Sequence, residues 1–427
     1  MQKTDKKYQA FVGILKKELV PALGCTEPIA LAYCGAKARA TLGSMPKKVV
    51  VEASGNIIKN VKSVIVPHTG GNKGIAAAVA IGILAGNPDG ELEVLVGTTP
   101  EQTAELPSFL DSLDITVNAL ETNEVLDIIV HVIDGENSAS VRIAGKHTNI
   151  AHIERNGEVL FDKKTETVDM RKGEDYALMS MNDICDFALQ VDVADVKEIL
   201  DRQMEFNSAV AQEGLTNDYG SNIGKVLLKN YGNDIHVRAR AVAAAGSDAR
   251  MNGCSMPVII NSGSGNQGMT VSLPVMEYAK ELGSSDEQLY RALVLSNLIA
   301  IYIKSGIGTL SAYCGAVSAG AAAGAGIAYL LGAGKESVCQ TVVNALAITS
   351  GIICDGAKAS CAAKIAVAVD AGIMGCEMRK SGQQFQGGDG IVSDEIEQTI
   401  RNIGMLGKDG MSETDKEILH IMTSCVD

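Results

Sequence analysis

Between Lys304 and Lys335 the chain runs for thirty residues without a charged side chain. That length alone is enough to cross a bilayer. The content argues for a different fate: Gly, Ala and Ser dominate, with few large apolar residues. Such a segment gains little from lipid, but it lets two helix backbones approach closely. Buried, tightly packed helices are therefore expected here, and no membrane span. Similar Ala-rich segments recur at 179–190, 194–213, 234–246, 286–304, 309–332, 335–350, 357–375 and 412–424, separated by Gly-rich breaks. They predict a large all-helical region over 166–427.

The first 165 residues read differently. Residues 7–20 and 27–42 have helical patterns, separated by Pro21, and residues 1–45 are expected to pack on the C-terminal helices. From 46 to 165 short β-branched runs alternate with turns: KKVVVEA, VKSVIV, LEVLVG, ITVNAL, LDIIVHVI, SASVRIA and EVLF. A helix is expected at about 73–86, and Asn156-Gly157 is a hairpin turn. The expected fold class is α+β: an α/β domain with a mixed or antiparallel sheet, plus the helical domain. At 427 residues, two domains are the natural division.

Composition narrows the function. The net charge is −14, so no nucleic-acid backbone or anionic membrane is an expected partner. Tryptophan is absent and aromatics are 4%, which argues against stacking platforms. The opening MQKTDKKYQA is too polar for a signal-peptide core, so a cytoplasmic, reducing setting is expected. A homo-oligomer is compatible with an acidic chain of this size.

In such a setting ten cysteines are buried apolar residues, ligands or catalysts. The informative group is Cys354 and Cys361, spaced C-x6-C around Asp355-Gly356, with Cys314 forty residues upstream. C-x6-C is neither a standard zinc nor a standard ferredoxin spacing, and core cysteines are common. None of the six histidines lies beside these cysteines in sequence. Three thiolates without a fourth strong ligand suit a [4Fe–4S] cluster with one open iron, a Lewis acid able to take a substrate heteroatom. Two Gly-rich loops, HTGGNKG at 68–74 and NSGSGNQG at 261–268, are read either as tight strand-to-helix turns or as anion nests. In the second reading Asn72, Ser262 and Asn266 are candidate substrate contacts.

GCTEP at 24–28, PHTGGNKG at 67–74, NSGSGNQG at 261–268, AYCGA at 312–316 and CDGAKASC at 354–361 together resemble the L-cysteine desulfidase family, related to the iron–sulfur L-serine dehydratases. The resemblance covers nearly the whole length. It implies a [4Fe–4S] enzyme that eliminates sulfide from L-cysteine, giving pyruvate and ammonia. It places the cluster ligands on Cys314, Cys354 and Cys361, and a proton acceptor on Cys25. A Cys25 thiolate is a plausible base if its pKa lies near working pH, and Pro28 suits the first turn of a helix beginning beside it. Cys425 could cap the open iron, as a C-terminal cysteine can in the related dehydratases. Three alternatives remain at this level. One is serine dehydration. Another is a pyridoxal-phosphate lyase using Lys304, Lys358 or Lys364. The last is a non-catalytic protein that binds a cluster or an amino acid.

Overall fold

The computed structural model describes residues 1–424 except 123, 164–172 and 309. Cys425, the suggested cap, lies outside the described residues. The N-terminal part contains α1 (Lys6–Glu18), β1 (Pro21–Leu23), α2 (Thr26–Leu42), β2 (Lys48–Ala53), α3 (Gly55–Val61), α4 (Gly74–Ala85), α5 (Pro100–Ser112) and the strands β3 (Asp114–Ala119), β4 (Asp127–Asp134), β5 (Asn137–Ala144), β6 (Ile150–Arg155) and β7 (Glu158–Asp162). The rest is helical: α6 (Met181–Gln190), α7 (Lys197–Thr216), α8 (Ile223–Tyr231), α9 (Ile235–Met251), then the short β8 (Pro257–Ile259), α10 (Gly265–Leu282), α11 (Asp286–Ile307), α12 (Gly315–Leu330), α13 (Lys335–Thr349), α14 (Cys361–Lys380), α15 (Ile396–Met405) and α16 (Ser412–Ser424). The fold is α+β, as its periodicities predict.

Six strands form one mixed sheet in the order β3-β2-β4-β5-β6-β7. Only β2–β3 is parallel; the others form the expected antiparallel meander. Asn156 and Gly157 both take positive φ, 51° and 82°, and turn β6 into β7. Two expected strands are absent. VKSVIV begins at the end of α3, and Ile65 makes only isolated bridges to Lys73 and Asn252. LEVLVG opens with a single 3₁₀ turn at Glu91–Glu93. Val61, Val66, Leu92, Val94 and Leu95 of these runs are buried in the sheet-side core without pairing as strands. Such short apolar runs carry no period of their own.

One core gathers α1, α6 and α10 to α15. A second lies between the sheet, α2 and α4, and continues into Val210, Ala249, Met269 and Leu273 of the helical part. Helix α2 crosses α4 at contact distance: a Cβ on Gly82 would stand 2.1 Å from the Ala32 carbonyl oxygen. Among the described residues no helix is long and apolar enough to cross a membrane.

The uncharged stretch explains itself in α12. A Cβ on Gly320 would meet the Ala368 carbonyl oxygen at 2.3 Å, and one on Gly324 would meet that of Gly372 at 2.5 Å. From the other side, a Cβ on Gly372 would lie 2.2 Å from the Gly320 oxygen. Both contacts pair residue i of α12 with residue i+48 of α14, so the helices run parallel with backbones touching. The same offset carried to their starts sets Cys314 beside Ala362, the neighbour of Cys361. A methyl group at 372 cannot be accommodated without separating the helices. G372A is expected to lower the unfolding free energy by about 1–3 kcal/mol, read from the denaturant midpoint at unchanged slope. A midpoint equal to wild type would contradict this packing.

Candidate functional site

A cavity of about 110 Å³ is lined by Cys25, Ser262, Asn266, Cys314, Cys354 and Cys361, together with Glu27, His147, Arg250 and Lys304. Its volume corresponds to roughly eight water-sized probes, which suits a small molecule and no peptide. Four helix N-termini converge on it. Cys25 precedes α2, Ser264 caps α10, Cys314 precedes α12, and Cys361 opens α14. Helix starts carry unpaired N–H groups and partial positive charge, so the cavity favours anions.

Local backbone pairing positions the thiols. The Cys314 N–H donates to the Ile352 carbonyl at 3.1 Å and the Cys354 N–H to Ala312 at 2.6 Å, with Tyr313 bridged antiparallel to Ile353. The segment before α12 is thereby zipped to the C-x6-C loop. Gly356 takes φ +92°, and a Cβ there would stand 2.3 Å from the Lys59 carbonyl oxygen. Asp355 ties the loop down through ion pairs with Lys358 and Lys364. Lys364 also donates to the Ile353 carbonyl at 2.9 Å. Both lysines thus serve as struts of the loop.

The thiols differ in character. The Cys314 thiol donates to Cys354, which pulls the Cys354 pKa below the ordinary thiol value; Lys59 and Lys304 add to the effect. The same bond and burial push Cys314 up. Burial raises Cys361. Lys304 is 3% exposed, and burial draws its pKa down to about 8. Lys59 is 2% exposed and ion-paired with Asp415. Two buried cations beside three thiols offset the cost of thiolate charge.

Elsewhere in the lining, β1 pairs antiparallel with β8, bringing Cys25 to the 261–268 loop. The Thr26 hydroxyl donates to the Gly263 carbonyl at 3.1 Å. Cys25 sits at a helix start as expected, but its thiol is not made acidic. Burial and the Glu27 carboxylate hold its pKa well above the ordinary value. Its Sγ donates to Glu27 Oε2 at 3.1 Å. Thr26 and Asn60 also donate to Glu27. The dipole of α2 is outweighed by desolvation and by the adjacent carboxylate.

Ser262 and Asn266 reach the cavity, whereas Asn72 is not among its lining residues. The Asn72 amide donates to Thr69 O at 2.5 Å within its own turn. His68, at φ +58°, lines a separate hollow with Thr69, Gly70 and Asn252. The Ser262 hydroxyl donates to Asn261 Oδ1 at 2.8 Å, and Ser262 itself takes φ +51°. The NSGSGNQG glycines answer to close packing: a Cβ on Gly268 would stand 2.0 Å from the Ile259 carbonyl oxygen. Cys34, in the other AYCGA, is turned to the sheet, donating to Val141 O at 3.2 Å. Cys185, Cys254 and Cys376 are buried core residues, and Cys339 contacts Cys185.

Sequence reasoning missed Glu27, Arg250, Gln267 and His147. Glu27 was legible inside GCTEP, two residues from Cys25. Arg250 and His147 carry no motif; only the fold brings them here. Among the described residues no three His, Cys, Asp or Glu side chains gather closely enough to bind a single metal ion. A cubane spreads its ligands over separate irons, so it asks for thiols spaced around a shared volume. The donor set present is three thiols on one buried wall with cations behind them, which fits such a group.

Residues 90–420 match the model of the serine dehydratase alpha chain, and 99% of the chain aligns at 56% identity with a UPF0597 protein of Desulfitobacterium hafniense, covering 98% of that protein. The chain belongs to the UPF0597 family and carries a serine dehydratase alpha chain domain. UPF0597 proteins of Lachnoclostridium phytofermentans and Vibrio campbellii are 55% and 40% identical, over 97% and 98% of this chain and 99% and 100% of theirs. The family model is thus named for a chain of an amino-acid lyase. Its match spans Cys314, Cys354 and Cys361 but not Cys25, which the UPF0597 alignments include by their extent.

The Asp355 struts give a direct test of this loop. D355N is expected to lower unfolding stability by about 1 kcal/mol, given the partial exposure of its ion pairs. It should also speed alkylation of Cys354 and Cys361 in the reduced protein while leaving buried Cys34 unchanged. Equal labelling rates in the two proteins would refute the strut role.

Proposed function

We propose that this UPF0597 protein is an iron–sulfur-dependent amino-acid lyase that cleaves L-cysteine to pyruvate, ammonia and sulfide. The observation that carries the reading is that three thiols, two at helix starts and one in the loop between them, line with Cys25 one cavity of small-molecule size. Cys314, Cys354 and Cys361 would hold a [4Fe–4S] cluster whose open iron supplies Lewis acidity toward the β-substituent. Membership in a serine dehydratase alpha chain family supports lyase chemistry, and the resemblance in GCTEP and CDGAKASC supports cysteine as substrate.

The rest is the chain's own work. The Cα proton of the substrate goes to the Cys25 sulfur, and the C–S bond breaks with its electron pair leaving on sulfur. The product, 2-aminoacrylate, takes up water to give pyruvate and ammonia. For Cys25 to accept a proton it must first lose its own, and Glu27 Oε2, 3.1 Å away, is the group placed to take it. Asn60 and Thr26 hold that carboxylate. The raised Cys25 pKa makes the thiolate a strong base once formed, and burial keeps water from quenching it.

The reading is tested by anaerobic purification, iron and sulfide analysis, and addition of L-cysteine and L-serine in turn. About four irons per chain and sulfide release from L-cysteine are expected. Pyruvate from L-serine without sulfide from L-cysteine would move the assignment to a dehydratase, the reading favoured by the family model's name. No chromophore after anaerobic reconstitution would overturn the cluster. C25A is expected to keep its iron and lose about 10²–10⁴-fold in turnover; unchanged function in C25A would mark a non-catalytic binding protein. Exposure to air or a chelator should abolish sulfide release, with recovery on reconstitution.

A further inference from the structure

Arg250 is the buried charge that the thiol wall does not explain. It is the penultimate residue of α9, 3% exposed, and lines the cavity. Among the described residues no carboxylate pairs with it. Its Nη1 donates to Asn266 Oδ1 at 3.1 Å, and its Nε has no partner. The nearby carboxylate, Glu27, is already engaged by Cys25, Thr26 and Asn60. Burying a guanidinium without a counter-charge is unfavourable, so this position suits an anion that arrives from outside. A planar fork is the side chain that grips a carboxylate with two parallel bonds.

The neighbourhood is built around that fork. A Cβ on Gly265 would stand 2.4 Å from Arg250 Nε, so the missing side chain lets the guanidinium lie against the start of α10. Asn266, expected to be a substrate contact, instead holds Arg250. One residue further, the buried Gln267 Oε1 lacks a donor. The Gln267 amide lies against Gly315, next to Cys314. An unsatisfied cationic donor and an unsatisfied neutral acceptor thus belong to residues that line the same cavity as the three thiols. That is the complement of an α-amino acid, whose carboxylate accepts and whose ammonium donates.

We propose that Arg250 anchors the α-carboxylate of the substrate, with Gln267 Oε1 receiving its ammonium group. The proposal rests on the cavity being an amino-acid site and leaves open which leaving group is expelled. Asn266 is then a positioning residue that fixes the guanidinium plane.

The test is calorimetric binding of two unreactive probes to the anaerobically prepared full chain. L-alanine keeps both charged groups and lacks a leaving group; L-alaninamide has the same size and no carboxylate. Wild type should bind L-alanine at least about 30-fold more tightly than L-alaninamide, as expected for a buried charge pair. R250Q should bring L-alanine to the L-alaninamide level. N266A should weaken L-alanine and leave L-alaninamide unchanged, and it carries the comparison if R250Q does not fold. A wild type that fails to distinguish the probes would overturn the anchor, as would an R250Q or N266A that still distinguishes them fully. Because neither probe reacts, a failure to release sulfide from L-cysteine would leave this result standing on its own.

Discussion

The backbone contact between α12 and α14 is the constraint on which the site depends. Glycines 320, 324 and 372, with the small Ala368, clear the crossing of bulky side chains, so the two helices meet along their carbonyl oxygens. Because the pair is parallel, both N-termini lie at the same end. That single choice of direction brings Cys314 and Cys361 side by side and aims two helix dipoles at one volume. The Cys354 loop is then fastened by two backbone hydrogen bonds and by Asp355. A looser crossing would leave three cysteines on three unrelated surfaces.

Electrostatics at the site run against the chain as a whole. A protein with net charge −14 places Lys59, Lys304 and Arg250 in its interior, all at or below 3% exposure. Each has a different counterpart. Lys59 is paired with Asp415, Lys304 faces thiols, and Arg250 faces open cavity. Glu27 is the carboxylate set among them, and it is saturated by donors. The arrangement separates cations set near the three thiols from a carboxylate set beside Cys25.

Much of this was legible in residues, for identifiable reasons. The uncharged Gly/Ala stretch announced close packing because small side chains let helix backbones approach while gaining little from lipid. Cys314, Cys354 and Cys361 share a cavity because each sits at a Gly-flanked helix start or loop. Ser262 and Asn266 follow from their loop's place between β8 and α10. Asn72 did not, because an amide in a turn satisfies its own backbone as readily as it reaches a ligand. The acidity of Cys25 was misjudged because a helix start is visible in sequence and burial is not. Arg250 and His147 come from segments with no motif, and only tertiary contact recruits them.

The ribbon of β1 and β8 carries one more consequence. Three residues on each side hold Cys25 to a loop 237 residues later in the chain, counted from Thr26 to Gly263. The three-thiol wall is nearly local by comparison, falling within residues 314–361. On a ribosome Cys25 emerges long before the segment that carries the three thiols. The three-thiol part of the site can therefore be assembled from one late segment, while the part that carries Cys25 is docked by a long loop closure. Maturation of the two halves is separable in time, and the order favours a wall that is still open when its thiols first meet.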